Sequence, residues 1–572
     1  MTALPSRYSG PPATLAEGWS LARLTQPSRL SGANGIRTGV DGRIYVASVP
    51  SSSVTAINPD TGVIETISPM GGDIVAPDDL VFDEAGNLYL TEITLGRVCM
   101  REPNGKVRVI QGGMPVANPI TWSQGRLIAG ECRMDARIME LDLNGGAPRV
   151  ILDGIPMANA FDVGPDGRLY APIMGTNEIW AIDLATGARE VVAGDLGVPD
   201  SVKFDSKGRI VSTQVASGQV LRLDVQSGTR EVLAELSPGL DNVTLIGDRI
   251  FVSSINGSIT EILAPGKTRP LVERGLQWPL GIAVAEDGSV FVCDGVYGYN
   301  LNRTESPGVE ALQLAGMIFW PGCPGYLRGV APGSQPGEWL ITTGLGSVAR
   351  YRPALGESDF LAHGFDQLMG IAANDSGAVV FAEMATGRVH LAEGDTVRPI
   401  AEGLEQPMGI AVQGDTAFVT EAGAGGIARL RAGSLVDTIA DGLGRPEGLC
   451  LSGGKLYTVD TAGKRLLEID PDTGAVATIA RNLPVGAPPV WCPNSSVRLA
   501  TCPVRWSTLP TSPADPMERF MFQRMLKAAC LRFVGCDPLD HARLVVSMTG
   551  GRGPVLLPFS CDRAARHSAR TR

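Results

Sequence analysis

The sequence predicts an all-β chain of two tandem six-bladed β-propellers, built from four-stranded antiparallel blades, with the last blade divergent or incomplete. Three observations carry this expectation. A unit of roughly 40 residues recurs along the chain, the period that a four-stranded blade requires. Gly numbers 71 and Pro 41 while charged residues make up only 19%, a composition of short strands joined by tight turns. At 572 residues the chain exceeds what a single core organises, so it divides into domains.

The second copy shows the unit most plainly. Pro77 to Phe82 is an apolar run, Glu84 to Asn87 a turn, Leu88 to Glu92 a second run, Arg97 to Met100 a third and Lys106 to Ile110 a fourth. The turn after the first strand recurs as Asp41-Gly42, Gly125-Arg126, Asp166-Gly167, Lys207-Gly208, Asp287-Gly288, Ser376-Gly377 and Gly453-Gly454. Such dipeptides supply the positive φ that tight hairpins need.

Copies begin near Asn34, Asp78, Asn118, Asn159, Asp200, Asp241, Leu280, Arg328, Met369, Met408 and Glu447. These starts give a first propeller over 34–278 and a second over 279–487 with five legible blades. Residues 1–33 form an N-terminal segment in which Trp19 to Leu24 reads as an orphan strand able to close a blade. Residues 488–572 lose the pattern, carry an Arg excess and contain Cys492, Cys502, Cys530, Cys536 and Cys561. They read either as a divergent last blade with a basic tail or as a segment altered by a change of reading frame.

The lead residue of each copy enters the innermost strand beside the central tunnel, where propellers gather ligands. In the first half this column reads Asn34, Asp78, Asn118, Asn159, Asp200 and Asp241, and in the second Leu280, Arg328, Met369, Met408 and Glu447. Crowded carboxylates destabilise one another unless a cation compensates. Oxygen donors alone select a hard ion, and calcium accepts such an irregular set more readily than magnesium. Zinc is disfavoured because the column holds no His or Cys. The same residues also serve turns, since Asp and Asn bond nearby backbone. Glu92 and Glu131 end second strands and are expected to face the same mouth, although Asp294, Glu383, Glu421 and Asp460 hold that position in the later half.

The string Pro199-Asp200-Ser201-Val202-Lys203-Phe204-Asp205 followed by Gly208-Arg209-Ile210 resembles a blade of the senescence marker protein (regucalcin)/gluconolactonase family, six-bladed calcium-dependent lactone hydrolases. Asn159, within Ala158 to Asp162 one blade earlier, resembles that family's metal-binding Asn, and Asn118 its substrate-facing Asn. The resemblance covers about residues 34 to 278. It implies Asn159 and Asp200 as metal ligands, Asp200 also as general base, Asn118 as a substrate contact and Glu131 in the pocket wall. The sequence departs from the family at the first blade, which offers Asn34 where the family has a metal-binding Glu. Asp78 and Asp241 add carboxylates to the ring. The later half resembles generic NHL-type repeats, as in Pro407-Met408-Gly409-Ile410-Ala411-Val412.

The expected activity is calcium-assisted opening of a lactone or related cyclic ester. Asp200 is the catalytic base, with Glu131 its alternate; Asn159, Asp200, Asp78, Asp241 and Asn34 are the metal set; Asn118 and Glu92 meet the substrate. Two other readings stand beside it. One is a non-catalytic binding module presenting a protein-docking face on the second propeller. The other is a virginiamycin-lyase-like enzyme using His363 and His390, which the repeat places in one blade. None of the four His lies within 34–278, which weighs against histidine chemistry in the first half.

A net charge of -11 excludes a nucleic-acid surface, which needs clustered cations. The N-terminus lacks a basic end followed by an apolar run, and no stretch is long enough to span a membrane, so a cytoplasmic location is expected. Cys99, Cys132, Cys293, Cys323 and Cys450 are scattered singly through the repeats and read as isolated thiols.

Overall fold

In a computed structural model of the chain, the described residues are 10–25, 28–277, 279–302, 311–318, 320, 322–431 and 434–486. They form ten four-stranded antiparallel sheets and one of five strands. The fold is therefore all-β, of tandem propeller blades. No helix among these residues is long and apolar enough to cross a membrane. The anticipated twelfth copy and the five cysteines after Val490 lie outside the described residues.

Contacts divide the described chain into one unit over Arg29–Arg274 and a second that joins Met1–Ser28 to Gly275–Pro489. Blades 1 to 6 span 36–68, 77–111, 117–155, 162–193, 199–235 and 240–272; blades 7 to 11 span 281–317, 327–363, 368–401, 407–440 and 446–481. Within each blade the strands pair in sequence order. In the first unit each inner strand packs on the next, and that of blade 6 returns to blade 1. The ring is thereby closed without a free edge.

Apolar residues between neighbouring sheets hold the ring together. The closing seam joins Ile36, Ile44, Val46 and Ile57 of blade 1 to Phe251, Ile259 and Val272 of blade 6. These side chains are 0–1% exposed, so the seam is as dry as the interior of a small domain.

The N-terminal strand differs from its expected position. Trp19 to Leu24 is not a strand; instead Thr14–Leu15 pairs with Ala480 and Arg481 as a fifth, outermost strand of blade 11. The physical reason is exposure. Trp19, Leu21 and Leu24 are all more than 40% exposed and bury no common face. Of the five described cysteines, four are buried and Cys450 is exposed, and no disulfide joins any of them.

Phe251→Ala should empty the closing seam and cost about 3–5 kcal/mol. Calorimetry should show the loss as an earlier transition, whereas a Val40→Ala control at an exposed site (68% exposed) should leave the melting point in place.

Candidate functional site

Three local devices bring the lead residues to one end of the first ring. The residue two before each lead position has a left-handed backbone: Gly32 (φ 83°), Ala76 (46°), Val116 (57°), Met157 (68°), Val198 (64°) and Gly239 (97°). For β-branched Val116 and Val198 this conformation is strained and must be held by surrounding contacts.

A β-bulge follows. The pairing register of the inner strand slips between Pro77 and Leu80, Ala117 and Ile120, Pro199 and Ser201, and Leu240 and Val243. Bulges of this kind re-aim a side chain, and here each contains a lead residue. Last, a hydroxyl near the end of a second strand donates to the next lead residue's carbonyl: Thr91 to Asn118 at 2.7 Å, Ser253 to Asn34 at 2.7 Å, and Thr213 to Asp241.

The six lead side chains are all buried, from 4% exposure at Asp200 to 9% at Asp241. Asn34 Nδ2 donates to Asp241 Oδ2 at 3.1 Å, and Asn159 Nδ2 donates to Asp200 Oδ2 at 3.0 Å. Each amide oxygen accepts a backbone N–H, from Val49 and Ala160 respectively. Asp200 Oδ1 is buried with no hydrogen-bond partner.

Burial, and then the charges of Asp78 and Asp79, push the Asp200 carboxyl well above the usual carboxylate range. Asp241 is raised by burial, then by Asp200 and Asp78, against a lowering hydrogen bond from Asn34. The buried Cys132 thiol is raised by burial and by the charges of Asp200, Asp78 and Asp241 together. One group outside the ring thus feels three of its carboxylates.

Beneath this mouth lies a network that sequence reasoning missed. Asp79 is fully buried and accepts from Asn242 Nδ2 at 2.9 Å across the ring and from Ile120 N at 3.1 Å. Arg37 approaches Asp79 at 4.0 Å and donates to the carbonyls of Leu80 and Ile120. Lys203 donates to the Phe161 and Val202 carbonyls; burial and neighbouring Arg37 depress its ammonium to about 8. The available signal was a polar residue directly after the lead position, as in Asp79, Ser201 and Asn242. Cys132 had no comparable signal.

Glu92 and Glu131 serve differently from expectation. Glu92 Oε1 accepts the Val75 N–H, and its carboxylate pairs with Arg97. The same loop-holding bond recurs from Gln277 to Asp294, Asp366 to Glu383, Glu405 to Glu421 and Arg445 to Asp460. In blade 3 the corresponding residue is Pro115, which has no N–H to give. Glu131 instead accepts from Arg133 Nε at 2.9 Å and Arg137 Nε at 3.1 Å, with ion pairs to both arginines. Both carboxylates are fully buried and engaged as anchors of the loop leading to the ring. That leaves neither free for the proton-transfer and substrate roles expected of them.

The two histidines of the later half do not share a blade. His363 ends blade 8 and meets Ser347 Oγ at 3.0 Å, while His390 lies in blade 9 and meets Glu383 Oε2 at 2.9 Å. His390 is packed between Phe365 and Phe381, a satisfied core position.

Among the described residues no group of three or more His, Cys, Asp or Glu side chains is arranged to hold a metal ion by itself. The ring's donor set is mixed, with carboxylates interleaved by amides. Its bare Asp200 Oδ1 and its accumulated charge are features that a hard cation would relieve.

Fold and mouth together define a β-propeller with a convergent Asp/Asn ring. Residues 22–255 match the family model described as the SMP-30/Gluconolactonase/LRE-like region. A search of curated protein sequences returns no match. Among solved structures the chain is similar to a streptogramin B lyase, at 16% identity and TM-score 0.36, over 47% of this chain and 92% of that one. It is also similar to virginiamycin B lyase from Staphylococcus aureus, at 16% identity and TM-score 0.36, over 46% and 93%. A nidogen/laminin complex matches at 20% identity and TM-score 0.34, over 37% and 84%.

Two outcomes test the site. Because the folded-state values of Asp200 and Asp241 are raised, their protonated forms favour folding below the ordinary carboxylate range. That contribution is lost as pH climbs through the raised values. In the metal-free protein, the melting temperature of wild type relative to Asp200→Asn should therefore fall as pH rises from the ordinary carboxylate range through the raised values; a flat difference would remove the charge-crowding account. Glu131→Ala should strand two arginines and cost about 1–3 kcal/mol, visible in urea denaturation.

Proposed function

We propose that the first ring is a hydrolase that opens a lactone or related cyclic ester at this mouth, with a divalent cation, calcium by donor chemistry, held by Asp200 and Asp241 together with the interleaved amide of Asn159. The observation that carries the reading is the buried, partnerless Oδ1 of Asp200 within a ring of six Asp and Asn side chains. Burying such an oxygen without a partner costs free energy, and a reacting water offers the missing bond. The match of residues 22–255 to the gluconolactonase-like family model supports the same class of substrate.

Each residue has a chemical task. Asn159 fixes Asp200 through Oδ2, so Oδ1 is the atom presented to water. Oδ1 takes a proton as the water oxygen bonds to the ester carbonyl carbon. The ring C–O bond then breaks, and the departing oxygen recovers a proton to leave a hydroxy acid. Asn118, buried on the blade before that of Asn159, would hold the ester's polar rim. Asn34 orients Asp241, keeping a second carboxylate directed at the mouth. A bound calcium ion would neutralise this charge and polarise the carbonyl.

Acid release from a panel of γ- and δ-lactones, titrated with base in a pH-stat with calcium present, tests the assignment. Asp200→Asn should lower turnover by about 100-fold or more, and chelation should abolish it. Equal turnover in wild type, variant and chelated protein would reject the mechanism.

A further inference from the structure

In the second unit the column that holds Asp and Asn in the first holds Leu280, Arg328, Met369, Met408 and Glu447. The same bulge re-aims it, with register slips between Leu327 and Val330, Leu368 and Ile371, Pro407 and Ile410, and Pro446 and Leu449. The same hydroxyl bond supports it, Thr342 donating to the Met369 carbonyl at 2.6 Å and Thr420 to that of Glu447 at 3.1 Å. Arg328 thus stands where the first unit presents its ligand-gathering side chains.

Its surroundings do not satisfy it. The one hydrogen bond that its guanidinium makes among the described residues is from Nη1 to Met369 Sδ at 3.3 Å, and thioether sulfur is a weak acceptor. Nε is buried with no partner. Burial depresses the guanidinium, with Tyr326 and Asp366 acting in the opposite direction. No carboxylate among the described residues forms an ion pair with it. Glu447, the acid of the column, is committed to Arg445 Nε at 3.0 Å and Thr461 Oγ1 at 3.0 Å. Arg328 as a whole is only partly buried, but shutting its Nε from water without an acceptor is costly, and its planar fork matches an oxyanion.

We infer that Arg328 is the anchor of a second ligand site, in the mouth of the second unit, that binds the carboxylate of a small organic acid with an apolar body. The apolar body follows from Met369, Met408 and Leu280 in the same column. A single negative charge follows from Asp366, which acts on Arg328 and would repel a dianion such as phosphate. This site does not depend on the lactone reading, since its residues all belong to the other unit.

The test uses the full chain in low-chloride buffer, with hexanoate, acetate and inorganic phosphate as probes in thermal melts. Hexanoate should raise the melting point of wild type by about 2–4 °C near saturation, and acetate and phosphate by less. Arg328→Gln should erase the hexanoate shift, and Asp200→Asn should keep it. If Arg328→Gln fails to fold, phenylglyoxal labelling of wild type supplies the readout, with the Arg328 peptide protected by hexanoate. No hexanoate shift in wild type, an equal shift in Arg328→Gln, or no protection of Arg328 would overturn the site. Phosphate acting as strongly as hexanoate would overturn the assignment of a monocarboxylate.

Discussion

Both units depend on one repeated contact, the hydroxyl near the end of a second strand that donates to the lead carbonyl of the next blade. Thr91, Thr213 and Ser253 make it in the first unit and Thr342 and Thr420 in the second. Apolar packing between sheets is far larger in area, but it is tolerant of small shifts and fixes no register. The hydroxyl bond does fix one. It satisfies a carbonyl that the bulge has taken out of its own ladder, and it ties the height of each lead residue to the neighbouring blade. A ring of six side chains can then converge at one level, which independent sheets could not guarantee.

The glutamate column complements this contact from the other side. A carboxylate or amide ending the second strand accepts a backbone N–H of the incoming loop, as Glu92, Gln214, Glu383 and Glu421 do. The loop must be held because the very next residue adopts a left-handed backbone, which Val116 and Val198 would not choose unaided. Blade 3 shows the rule by its exception, since Pro115 lacks the N–H and Glu131 recruits two arginines instead. An acid that looks catalytic by position is thus consumed in holding the residue that precedes the ring.

The fold was legible because hairpin chemistry and a fixed period are local. Dipeptides such as Asp41-Gly42 and Asp166-Gly167 locate the first turns, and the lead column follows from Pro77-Asp78 and Pro199-Asp200 once the register is known. The depth of the six lead residues was legible for the same reason. Other features depend on partners distant in sequence. Cys132 acquires meaning only from carboxylates on three other blades, and Asp79 only from Asn242, two blades away round the ring. Trp19 to Leu24 misled because an apolar run of strand length has no intrinsic means of stating which sheet will accept it. Thr14–Leu15 wins that edge with two paired residues.

The two mouths share a scaffold and differ in sign, and the difference follows from what each scaffold leaves unsatisfied. In the first, carboxylates raise one another, and Asp200 retains a bare oxygen after Asn159 has taken its partner. In the second, a guanidinium has only sulfur to donate to. A closed seam of buried side chains such as Ile36 and Phe251 supplies stability enough to sustain such local cost. The bare oxygen of Asp200 and the bare Nε of Arg328 both fall in the lead column, where the bulge holds side chains against their own preference. The strain is thus carried by the blades that hold the lead column.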